Sequence, residues 1–78
     1  MSPEFQEFQL YLGAISEKEK TPTEIIFRED IRKSNKDCAV YVLYIWYEDD
    51  KWEYHWFYFP KREAILAELE FAEFENCM

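Results

Sequence analysis

The chain has 78 residues, 49% hydrophobic, 21% aromatic and 33% charged, with a formal net charge of -8. That length supports one small core and the aromatic content is enough to fill it, so residues 1–78 are expected to form a single domain rather than remain disordered. Seventeen acidic against nine basic residues argue against a phosphate-backbone ligand and an anionic membrane surface, and a single glycine, Gly13, excludes a Gly-rich phosphate loop.

In chain order, Ser2-Pro3-Glu4 has the composition of a helix start: Ser as N-cap, Pro at the first helical position, Glu in the first turn. Phe5, Phe8 and Leu12 then share one helical face and Gly13 is placed to end it, which predicts a helix over 3–13. The competing pattern is a strand in which Phe8, Leu10, Leu12 and Ala14 alternate with polar neighbours. Ser16 to Lys20 reads as a solvated loop. Thr21 and Glu24 have capping-box spacing around Pro22, and Arg32 and Lys33 suit a helix C-terminus, so a second short helix is predicted over 22–33. Ile25, Phe27 and Ile31 within it also suit a strand edge. Ser34 to Asp37 is a turn by composition.

The next stretch is the aromatic centre of the chain, holding ten of its sixteen aromatic residues between Tyr41 and Phe59. Two runs rich in Val, Ile, Tyr and Trp flank an acidic turn, which predicts an antiparallel β-hairpin, 39–47 with 52–59. With Asp49-Asp50 as a two-residue loop, Glu48 faces Lys51. That register puts Tyr41, Leu43, Ile45 and Tyr47 on one face with Trp52, Tyr54, Trp56 and Tyr58. The other face then holds Val40, Val42, Tyr44 and Trp46 with Glu53, His55, Phe57 and Phe59. Val40, Val42, Phe57 and Phe59 are the expected bed for the final helix.

Pro60 ends the second strand, and KREAILAELEFAEFEN predicts a helix over 60–75. On a helical wheel Ile65, Leu66, Leu69 and Ala72 form one apolar stripe, and Ala64, Ala67, Phe71 and Phe74 form another nearly opposite. One stripe is needed for the core and the other calls for a cover. The predicted fold is therefore α+β, with two short N-terminal helices, the hairpin, and a C-terminal helix packed on it. The alternative is a four-stranded antiparallel sheet plus one C-terminal helix.

Candidate chemistry is sparse. His55, the only histidine, shares a strand face with Glu53, but the pair lacks the further groups and cleft of an acid–base site, so no catalytic residue is assigned and no enzyme is expected. Cys38, His55 and Cys77 fall in three separate elements, so no metal ligand set and no cofactor is assigned. The hairpin has rings on which single-stranded nucleic acid could stack, but Lys51 is its only Lys or Arg, and direct nucleic-acid binding is not expected. Two cysteines without a Cys-x-x-Cys pair read as free thiols in a reducing compartment. With no secretory signal or bilayer-spanning run, the expected location is the cytoplasm, that of the host if the chain is viral.

The expected function is a small, acidic, non-enzymatic protein-binding module that inhibits a larger basic protein, such as a nuclease or another nucleic-acid-binding protein. The expected contact set is Glu48, Asp49, Asp50, Trp52, Tyr54, Trp56, Glu63, Glu70, Phe71, Glu73, Phe74 and Glu75. Phage antidefence proteins, nucleic-acid mimics and nuclease immunity proteins are similar in general character, a likeness of composition that rests on no motif. The second expectation is a homodimer or higher homo-oligomer assembled through the C-terminal helix or the aromatic sheet.

Overall fold

In the computed structural model, which describes residues 1–77, the first helix starts where the sequence places it. Ser2 Oγ accepts the Phe5 N–H at 3.2 Å and Pro3 opens the first turn, so one donor orphaned at the helix start is satisfied. This helix, α1, spans Pro3–Glu17 and does not end at Gly13. A glycine inside a helix costs about 0.5–1 kcal/mol relative to alanine. Continuing the helix places Ile15 in the core, and burying an isoleucine is worth about 1.5–3 kcal/mol, so burial decides.

The predicted second helix over 22–33 is replaced by a strand, β1, spanning Pro22–Glu29. β1 pairs antiparallel with β2, Cys38–Tyr47, with Ile25 opposite Ile45 and Phe27 opposite Leu43. Ile25 and Phe27 thereby point to the core, and Glu24, Ile26 and Arg28 point the other way. A helix here would leave one edge of β2 without partners for its backbone groups, a larger loss than an unused capping box. The turn that follows is tied by Asp30 Oδ1, which accepts the Arg32 and Lys33 N–H groups, and it leaves Ile31 exposed.

The hairpin is present as β2 and β3, Trp52–Pro60, completing a three-stranded antiparallel sheet of order β1-β2-β3. The four-stranded alternative is not formed, because 3–17 is helical. The hairpin register differs from the expected one by a single residue. Trp46 lies opposite Trp52, Tyr44 opposite Tyr54 and Val42 opposite Trp56. Asp50 N–H bonds to Tyr47 O at 3.1 Å, Tyr47 N–H bonds to Lys51 O at 2.8 Å, and Asp50 has φ 63°. The connection is therefore a three-residue loop, Glu48-Asp49-Asp50, in which a tight turn is followed by a left-handed residue. An odd loop reverses the expected parity and exchanges the faces of β3.

The core face therefore carries Tyr41, Leu43, Ile45 and Tyr47 together with Glu53, His55, Phe57 and Phe59. Of the expected helix bed, Phe57 and Phe59 lie on this face and Val40 and Val42 lie on the other. A 3-10 turn, Lys61–Glu63, leads into α2, Ala64–Asn76, a helix that starts later than the sequence suggests. Both helices lie on the same side of the sheet. α1 runs along β3, with Phe5 against Phe59, Phe8 against Phe57 and Tyr11 against His55. α2 runs beside it in the same direction, joined by Ser2–Glu63 and Gln9–Glu70 hydrogen bonds, and sets Phe71 against Phe27. Phe8 is fully buried among Phe5, Phe27, Phe57 and Phe59 at ring separations of 4.9–6.3 Å.

Candidate functional site

With both helices on one side, no helix covers the other face of the sheet. Strand alternation sends Glu24, Ile26 and Arg28 of β1 to that face, with Val40, Val42, Tyr44 and Trp46 of β2 and Trp52, Tyr54, Trp56 and Tyr58 of β3. Trp52, Tyr54 and Tyr58 are 55%, 50% and 51% exposed and Trp46 is 37% exposed. The rings form a connected row: Trp46 to Trp52 at 6.0 Å, Trp52 to Tyr54 at 5.6 Å and Tyr54 to Tyr44 at 6.2 Å. Contacts between neighbouring rings hold them in place before any ligand arrives, which reduces the entropy lost on binding.

The two ends of this face differ. At one end the segment after β1 folds over Val40 and Val42 and buries them. Ser34 Oγ accepts the Val40 N–H at 2.8 Å, and the Lys33 ammonium rests 4.2 Å from the Trp56 ring centre. Arg28 sits 5.7 Å over Tyr44, and a shallow cavity of about 300 Å³ lies between Arg28, Arg32, Val42, Tyr44 and Trp56. At the other end Trp46, Trp52 and Tyr54 carry no cation of their own among the described residues. Glu24 lies opposite Trp46 in the β1–β2 register, and the acidic loop Glu48-Asp49-Asp50 joins Trp46's strand to Trp52's.

The structure brings together half of the expected contact residues. Glu48, Asp49 and Asp50 are exposed at the hairpin tip, with Trp52, Tyr54 and the half-buried Trp56 on the open face beside them. Asp49 pairs with Lys20 at 3.1 Å, and that hydrogen bond holds its carboxyl below the ordinary value. Glu73 and Glu75 are exposed and Glu70 half-buried, but they belong to α2, on the opposite side of the molecule. Glu63 is not surface: its buried carboxylate accepts hydrogen bonds from Ser2 N–H and Ser2 Oγ, tying the starts of the two helices together. Phe71 is buried and Phe74 is packed against the core, so the α2 stripe left exposed is the other one, Ile65, Leu66 and Leu69. Tyr44, Trp46, Tyr58 and Ile26 belong to the open face and were absent from the expected set. The sequence signal that places Trp46 with Trp52 is Asp50, an Asx residue able to take the left-handed conformation that lengthens the loop to three.

Glu53 and His55 do not form a pair. Glu53 Oε1 accepts from Tyr11 Oη at 2.9 Å, Tyr47 Oη at 2.9 Å and Lys18 Nζ at 3.1 Å, while the His55 ring packs at a tilt against Tyr11, 4.2 Å between centres. Partial burial alone would raise the Glu53 carboxyl, but these three hydrogen bonds outweigh it and hold the carboxyl below its ordinary value. Burial and the neighbouring Glu53 together push the Tyr11 hydroxyl well above its usual range. The cluster ties the end of α1 to the hairpin and leaves no free base. Cys38 lies opposite Pro60, at the start of α2's approach, and Cys77 follows the far end of α2, about 20 Å of helix away. This exceeds disulfide reach, and both thiols are free. Among the described residues no helix is long and apolar enough to cross a membrane. No protein-family model, curated protein or solved structure matches this chain, and the surface itself carries the functional argument.

Proposed function

We propose that this chain is a non-enzymatic protein-binding module whose contact surface is the open aromatic face of its sheet. The reading rests on one observation: Trp46, Trp52 and Tyr54 stand uncovered in a connected row, with Tyr58 exposed farther along the same face. The uncovered patch measures roughly 300–400 Å² from strand spacing and rise, a size at which exposed apolar patches are often functional. Trp and Tyr are also the residues most enriched among those that dominate binding energy.

The partner this face fits is a basic protein. Lys33 on Trp56 and Arg28 on Tyr44 illustrate the contact chemistry, since an aromatic face attracts a cation by about 0.5–2 kcal/mol. Trp46, Trp52 and Tyr54 have room for cations supplied from outside, with Glu24, Glu48 and Asp50 alongside to pair with them. A larger nucleic-acid-handling protein, held as an inhibitor holds its target, has the required surface. Charge on both partners also speeds encounter.

The test is affinity capture from the source cells by the wild-type chain and by Trp52→Ala/Tyr54→Ala. A basic protein retained by the wild type should lose about 30-fold or more in affinity for the variant, the scale of losing a dominant contact residue. Its binding should weaken steeply with added salt. Equal capture by a folded variant would refute the aromatic face as the contact. Affinity that is flat in salt would refute the basic partner.

A further inference from the structure

The two outer strands of the sheet treat their free edges differently. β1 begins at Pro22, has an irregular register between Pro22 and Glu24, and carries Glu24, Arg28 and Glu29. Proline, bulges and charges are the means by which edge strands avoid pairing with another chain. β3 uses these means only sparingly: its ladder has no bulge and its one proline, Pro60, is its last residue. From Trp52 to Phe59 it contains no Lys, Arg or Pro, and its ladder to β2 is regular throughout. Its only charged residue, Glu53, points to the core side and is satisfied by Tyr11, Tyr47 and Lys18.

The ladder also decides which backbone groups of β3 are free. Tyr47 N–H bonds to Lys51 O at one end and Lys61 N–H bonds to Asp37 O at the other. Odd-numbered residues therefore direct their N–H and C=O to β2, because antiparallel pairs alternate strictly. The N–H and C=O groups of Tyr54, Trp56 and Tyr58 point outward, to an edge with which no other strand pairs among the described residues.

We propose that this edge pairs antiparallel with β3 of a second copy, joining the two sheets into one. The strand is complementary to itself in the register centred on Trp56. Trp56 then meets the partner's Trp56, and Tyr54 meets the partner's Tyr58, as aromatic cross-strand pairs. Glu53 meets the partner's Phe59, so no like charges stand opposite each other along the strand. A strand about 30 Å long under one helix layer buries roughly 400 Å² per protomer, about 800 Å² in all, less than a standard stable interface, so the dimer is a weak one that fills in the micromolar range or above. The pairing also makes the two open aromatic faces continuous, and it holds whether or not those faces bind a basic protein.

Sedimentation equilibrium between about 5 and 200 µM, the range in which a dimer of this strength dissociates, is expected to show the mass rising from 9.7 kDa toward twice that value. In the same range, the amides of Tyr54, Trp56 and Tyr58 should exchange with solvent at least tenfold more slowly as the dimer fills. Tyr58→Pro deletes an outward N–H without touching the β2 ladder and should give a folded monomer. Tyr58→Lys, which leaves the backbone intact and adds the charge that edge strands use, should weaken dimerisation at least tenfold and serves if the proline variant unfolds. A monomer across the whole range overturns the pairing. So does a dimer whose three amides exchange at the monomer rate, or one that Tyr58→Lys leaves unchanged.

Discussion

The left-handed residue at the hairpin tip sets the register of β3, and replacing it tests that register. Asp50 has φ 63°, a conformation that costs a residue with a side chain about 1–2 kcal/mol and glycine almost nothing. Asp50→Gly should therefore stabilise the protein by about 0.5–1 kcal/mol, after allowing for glycine's greater freedom in the unfolded chain. For a domain of this size that corresponds to about 3–6 °C in Tm. Asp49→Gly removes the same charge from the same loop but should act in the opposite direction. It deletes the Asp49 carboxylate that accepts the Lys51 N–H at 3.3 Å and pairs with Lys20, and it gains nothing from a backbone that is not left-handed. Thermal and urea unfolding followed by circular dichroism give both changes, and because each variant loses one charge, the net-charge effect cancels in their difference, leaving the Asp50 backbone gain set against the Asp49 contacts. If Asp49→Gly stabilises as much as Asp50→Gly, both residues are left-handed and the loop has two residues. The register described above, and with it the membership of the open face, would then be wrong.

Three further outcomes follow from the core and the polar cluster. Phe8→Ala empties a fully buried site between four other rings and should cost about 3–5 kcal/mol, a large part of the roughly 4–12 kcal/mol expected for a chain of this length; urea titration of the variant checks it. Glu53→Gln should cost about 1 kcal/mol at neutral pH by weakening the bonds from Lys18, Tyr11 and Tyr47. Because the folded carboxyl lies below its ordinary value of about 4.3, that difference should persist above this pH and vanish as pH falls through the lower folded value, which urea unfolding at stepped pH will show. Burial, with Glu68 and Glu29 nearby, pushes the Tyr41 hydroxyl up to about 12, and Tyr11 is raised further. Both favour the folded state fully below pH of about 10, and stability should decline as pH rises past it, with phenolate absorbance appearing together with unfolding.

The charge of -8 is unevenly distributed over the fold. α1 carries Glu4, Glu7 and Glu17, α2 carries Glu68, Glu70, Glu73 and Glu75, and neither helix has a Lys, Arg or His. The open sheet face has Glu24 and Arg28 and lies next to the Arg32–Lys33 turn, so it is close to neutral. A composition-wide charge therefore describes the helical side of the molecule better than the surface proposed to bind. In the proposed complex the aromatic face would contribute specificity through its rings, and the acidic tip and helices would contribute long-range attraction.

Some of this protein was determined by its sequence alone. The Ser2-Pro3 helix start, the hairpin and the C-terminal helix follow from local rules, because capping, strand alternation and helix propensity act within a few residues. The two apolar stripes of α2 were equally legible, since they depend only on helical periodicity. Tertiary structure decided the rest. Residues 22–29 had local signals for both helix and strand, and the unpaired edge of β2 chose strand. α1 passes Gly13 because Ile15 has a core to enter. Which α2 stripe is buried depends on where Phe27 and Tyr41 stand, far away in sequence. Above all, one loop residue at Asp50 reverses the parity of β3. A pattern of period two preserves which residues share a face, but only the pairing across the turn decides which face meets the helices and which is left open.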